Sequence, residues 1–79
     1  MTAAATPFEL RGEFIPLDAL LKATGSAPSG GIAKQMIAAG EVQVDGAVEL
    51  RKTCKIRAGQ VVAVAGTTIR VLAAPPAAG

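Results

Sequence analysis

Residues 29–46 read Ser29-Gly30-Gly31-Ile32-Ala33-Lys34-Gln35-Met36-Ile37-Ala38-Ala39-Gly40-Glu41-Val42-Gln43-Val44-Asp45-Gly46, and the hydrophobic period changes inside this stretch. Ser29 is a good helix N-cap, so a helix is predicted over Gly30–Ala39 with Gly40 as its stop. At helical spacing Ile32, Ala33, Met36 and Ile37 share one apolar face, while Lys34, Gln35 and Ala38 lie opposite. Gly30 and Gly31 in the first turn each weaken that helix by about 1 kcal/mol relative to alanine. Either they admit a close approach by another backbone or a phosphate, or they are tolerated. From Glu41 the period is two. Val42 and Val44 point one way, Gln43 the other, and Asp45-Gly46 is a strong hairpin signal.

Working back from Ser29, Ser26-Ala27-Pro28 is a short connection. Before it stands Ile15-Pro16-Leu17-Asp18-Ala19-Leu20-Leu21-Lys22-Ala23-Thr24-Gly25. Pro16 suits a first helical turn, and Asp18 and Lys22 complement the two ends of the helix dipole. Gly25 stops the helix, and Leu17, Leu20, Leu21 and Thr24 form its buried face. Phe8-Glu9-Leu10-Arg11 alternates and reads as a short strand ending at Gly12. Working forward, Ala47–Leu50 returns the hairpin, and Ala58-Gly59 turns the chain. Val61–Ala65 and Thr68–Leu72 read as two more strands joined at Gly66-Thr67. The order of elements is that of a small α+β domain. Residues 1–7 and 73–79 are small or polar and are expected to be flexible tails, leaving 8–72 as the single folded domain.

Charge divides the chain. All six acids lie within residues 1–50 beside Arg11, Lys22 and Lys34; the remaining five cations, Arg51, Lys52, Lys55, Arg57 and Arg70, follow without one acid. Four of them fall in Arg51-Lys52-Thr53-Cys54-Lys55-Ile56-Arg57, a cluster whose potential a polyanion would feel. If Thr53–Arg57 is extended, Cys54 and Ile56 point inward while Lys55 and Arg57 point out with Arg51. Lys52 then needs a bend to face solvent. The ordinary alternative is a solvated edge strand that uses lysine to prevent edge-to-edge pairing. The exclusion of acids argues against it, as does Lys34, which the hairpin can bring alongside.

Several function classes are excluded or disfavoured. The chain has no histidine and one cysteine, so the commonest general base, a thiol–imidazole pair and an internal disulfide are all missing. No enzyme activity, cofactor or metal is expected, and Cys54 is read as a small buried hydrophobe. The longest charge-free stretch, Ala58–Ile69, falls well short of the roughly 20 apolar residues of a membrane span. A cytoplasmic location is the expectation. Phe8 and Phe14 are the two aromatics, both among apolar neighbours, so no stacking platform for unpaired bases is expected and recognition would rest on phosphates, shape and 2′-hydroxyls.

The run Ser29–Gly46 resembles the RNA-binding domain named after ribosomal protein S-four, also called the alpha-L motif. The shared features are a serine-capped helix with small, basic and aliphatic positions, a glycine stop, Val-x-Val and a tight turn. Its continuation, Glu49–Gln60, is similar to the small stand-alone bacterial YbcJ-like branch. The resemblance implies two helices packed on a small, twisted antiparallel sheet, with the second helix and the region after the hairpin presenting the RNA surface. By position it implies that Lys34 is the basic helix residue and that Arg51, Lys52 and Lys55 are the basic stretch. Arg57 joins them only by the strand-face argument. Many larger members carry arginine directly after the capping serine; here Gly30 stands there and that phosphate contact is absent. The implied partner is structured RNA, ribosomal or transfer RNA, with association to ribosomes or their assembly intermediates. The competing reading is a protein-interaction module that docks its basic edge on an acidic protein.

Overall fold

In the computed structural model, which describes residues 5–74, the chain runs through nine elements. They are β1 (Ala5–Glu9), β2 (Ile15–Pro16), α1 (Leu17–Ala23), α2 (Gly30–Ala38), β3 (Val42–Val44), β4 (Ala47–Val48), β5 (Lys55–Ile56), β6 (Val61–Val64) and β7 (Thr67–Leu72). Five strands form one sheet in the order β1-β7-β6-β3-β4, and β2 and β5 form a separate two-stranded ribbon. The α+β class is as expected from the sequence.

The expected helices are present with their stops. Leu17, Leu20 and Leu21 of α1 are fully buried, and Gly25 follows in a left-handed conformation with φ 77°. Ser29 caps α2, its Oγ accepting a hydrogen bond from the Ile32 N–H at 3.2 Å. The apolar face of α2 is narrower than predicted. Ala33 and Ile37 are buried and Met36 half-buried, but Ile32 is 39% exposed because the helix touches the core through its i, i+4 pair. Space beside Gly30 and Gly31 is open: a Cβ on Gly30 would meet nothing within 4 Å, and one on Gly31 only the Ser29 Oγ at 3.9 Å. Among the described residues, no backbone approach needs either glycine.

Alternation places the core between the helices and the sheet. Val42 and Val44 of β3, Val62 and Val64 of β6, and Ile69 and Val71 of β7 turn inward to meet the leucines of α1, with Gln43 and Arg70 outward. Asp45 and Gly46 both take positive φ (52° and 86°), the pattern of a type I′ hairpin whose twist matches its strands. The same pattern recurs at Ala65-Gly66, φ 50° and 77°, one residue earlier than the turn read from sequence.

Two expectations about the sheet are corrected. It is mixed and not wholly antiparallel, because β1 runs parallel to β7 with Ala5 opposite Thr68 and Glu9 opposite Leu72. Ala5, Thr6 and Pro7 therefore belong to an edge strand and lie outside any N-terminal tail; the edge position accommodates Pro7, which has no N–H for a ladder. Residues 1–4 and 75–79 of the expected tails lie outside the described residues. The hairpin's return strand is also shorter than predicted, two residues, and Val48 within it and Leu50 beyond it are 53% and 60% exposed.

Candidate nucleic-acid interface

The basic segment is a turn followed by a short strand. A turn at Lys52-Thr53 supplies the bend expected near Lys52. Only Lys55 and Ile56 are extended, and they pair with Pro16 and Ile15 of β2, away from the main sheet. Ile56 is buried, Cys54 is half-buried, and Lys55 and Arg57 are exposed. The inward and outward assignment thus survives although most of the expected strand does not.

Backbone hydrogen bonds fasten this segment to α1. The first amides of the helix, Leu17 N–H and Asp18 N–H, donate to the carbonyls of Cys54 (2.9 Å) and Lys52 (3.1 Å). Pro16 at the N-cap offers no side-chain oxygen, so the loop carbonyls do what a serine or aspartate ordinarily does. Asp18 also faces α2: its carboxylate Oδ2 lies 3.9 Å from Lys34 Nζ. One residue therefore touches both sequence-distant halves of the predicted site.

Each predicted residue has a distinct setting. Arg51 is held by Glu49, with Nε–Oε2 at 3.0 Å, Nη2–Oε1 at 3.2 Å, and the Arg51 N–H donating to Oε2 at 3.0 Å. These bonds hold the Glu49 carboxyl down to about 2 from an ordinary 4.5, and the same pairing raises the Arg51 guanidinium. The fork leaves the Arg51 side chain 78% exposed. Lys34 is half exposed, and Lys52 is exposed at the turn. Arg57 donates its N–H to Gln60 Oε1 at 2.7 Å, and Gln60 Nε2 donates to Asp45 Oδ2 at 3.3 Å. Asp45 Oδ1 accepts from Val61 N–H at 3.0 Å. The hairpin aspartate consequently does more than form a turn; it anchors the loop that carries Arg57.

Phe14 is what sequence reasoning missed. It is 40% exposed, its apolar neighbours leaving it uncovered, with Lys55 Nζ 5.0 Å and Arg57 Cζ 5.8 Å from its ring centre. Both lie within cation–π range. The available signal was Ile15 preceding Pro16: once Ile15 is taken as a strand residue pointing inward, its neighbour Phe14 must point out. Cys54 carries no sign of reactivity, since burial and the nearby Glu49 push its thiol up although Arg51 acts in the opposite sense. Among the described residues, no cluster of metal-ligating side chains and no helix long and apolar enough to cross a membrane is found.

Comparison with known proteins identifies the arrangement. The family model described as S4 domain matches residues 8–72. The chain belongs to the S4 domain family. Its similarity to YbcJ of Escherichia coli (strain K12) is 57% identity over 54 residues, 68% of this chain and 77% of that protein. YbcJ of Shigella flexneri matches to the same extent. The solution structure of E. coli YbcJ superposes with a TM-score of 0.69 at 45% identity, covering 91% of this chain and 92% of that one. That structure is described as revealing an αL motif involved in RNA binding. In this S4 domain the two helices and mixed sheet are therefore the family fold, and the ribbon β2–β5 with its basic turn sits against the start of α1.

Proposed function

We propose that this protein is a non-catalytic RNA-binding module that grips the phosphate backbone of structured RNA, ribosomal or transfer RNA, in the cytoplasm. The contacts are made by Lys34, Arg51, Lys52, Lys55 and Arg57. The observation that carries this reading is the position of Asp18, whose carboxylate meets Lys34 on α2 while its amide holds the Lys52 carbonyl. Cations from two separate parts of the chain are thereby tied to one helix end. Each has a positioning partner, Glu49 for Arg51, the β2–β5 ladder for Lys55 and Gln60 for Arg57, which favours phosphate recognition over a merely solvated charged edge. Family membership and the RNA binding ascribed to the αL motif of E. coli YbcJ support the same reading.

Ultraviolet crosslinking in cells, followed by sequencing of the attached RNA, tests it. Recovery of ribosomal or transfer RNA is the expected outcome. Capture of an acidic protein that survives ribonuclease treatment, with no RNA crosslink, would instead establish the basic edge as a protein-docking surface.

A further inference from the structure

Phe14 precedes the β2–β5 ladder, opposite Arg57 by register, and the paired Ile15 and Ile56 below it face the core. Phe14, Lys55 and Arg57 therefore share the outward side of one ribbon. The ring also forms one wall of a groove of about 460 Å³ lined by Phe8, Leu10, Arg11, Ile15 and Ala23, within the size range of small-ligand clefts, about 300–1,000 Å³. The groove is mainly apolar and carries a further cation, Arg11. Lys55 and Arg57 make no ion pair among the described residues, so their heads can leave the ring for a phosphate.

A flat apolar surface bordered by three cations suits a flat aromatic group carried on an anionic chain. A continuous duplex hides its base faces, whereas an unpaired nucleotide presents them. We propose that Phe14 stacks an unpaired base of the bound RNA, with Lys55, Arg57 and Arg11 on the flanking phosphates. This rests on the RNA-binding reading above and adds to it a preference for duplex RNA that carries a single-stranded element. The simpler role of the ring, supporting the stems of Lys55 and Arg57, predicts no such preference.

The test uses the whole chain and two probes, a blunt RNA duplex and the same duplex with a single-stranded adenosine overhang. The parent should bind the overhang RNA more tightly. Phe14→Leu should weaken that complex roughly five- to a hundredfold and weaken the blunt-duplex complex far less. The chain has no Trp or Tyr, so Phe14→Trp introduces a lone indole whose emission the overhang RNA should quench and the blunt duplex should not. Equal weakening of both RNAs by Phe14→Leu, no weakening of either, or an indole blind to the overhang would overturn the stacking inference and leave RNA binding standing. Failure of the parent to bind either RNA would overturn the RNA-binding reading itself.

Discussion

The double substitution Arg51→Ala with Lys55→Ala tests most directly whether the basic turn touches phosphate. The two residues use different supports, the Glu49 carboxylate and the β2–β5 ladder, and neither side chain is buried. Their removal should therefore leave the core of α1, β6 and β7 intact. On duplex scaling each neutralised phosphate contributes about 0.9 to the slope of log K against log salt, so the double variant should lose about 1.8. At about 0.1 M monovalent salt that corresponds to roughly 60-fold weaker binding. Loss of Arg51 also leaves Glu49 without its cation near the phosphates, which acts in the same direction. Fluorescence anisotropy of a labelled structured RNA, titrated across a salt series, reads both quantities, and circular dichroism checks the fold. A folded double variant with an unchanged slope would refute the assignment of these side chains to phosphate contact.

Lys34→Ala should reduce the same slope by about 0.9, since it removes one contact from α2 without disturbing the turn. Asp45→Ala should destabilise the domain by about 1–3 kcal/mol, because it removes acceptors for Val61 N–H and Gln60 Nε2 at a left-handed position; a lower thermal midpoint measures it. Ala65→Asn should raise that midpoint by several degrees, from about 0.5–1 kcal/mol gained, because Ala65 sits at φ 50° in a turn that favours Asn-Gly. The Glu49 carboxyl, depressed by Arg51, stabilises the fold above its ordinary 4.5, and that contribution disappears as the pH falls toward about 2. A carbon-detected NMR titration should place its midpoint near about 2, and Arg51→Ala should return it toward 4.5.

What could be read from the residues was whatever depends on neighbours in the chain. Ser29, Gly40, Asp45-Gly46 and the spacing of Leu17, Leu20 and Leu21 each act through local backbone geometry, and each appears where its chemistry requires. Strand phase around Cys54 and Ile56 was legible for the same reason. The parallel partnership of β1 with β7 was not, because it joins opposite ends of the chain and Ala5-Thr6-Pro7 carries no strong alternation. Nor was the ribbon β2–β5, whose two-residue strands are too short to establish a period. Missing that ribbon left the exposure of Phe14 beside Lys55 and Arg57 unread, and with it the candidate surface lost its aromatic. Asp18 as the residue that touches both Lys34 and the turn was not legible either, since its role comes from packing of α1 against the turn.

The hydrogen bonds from Leu17 and Asp18 to the carbonyls of Cys54 and Lys52 have a thermodynamic consequence. A loop rich in lysine and arginine ordinarily samples many conformations, and each immobilised residue opposes association through lost backbone entropy, about 1–2 kcal/mol per residue. Here two hydrogen bonds from the start of α1 already hold the backbone of the turn in the unliganded fold. The ordering of this backbone is then not among the costs of association. A domain this small can thus achieve useful affinity from few contacts, and its free and bound backbones at the turn should coincide.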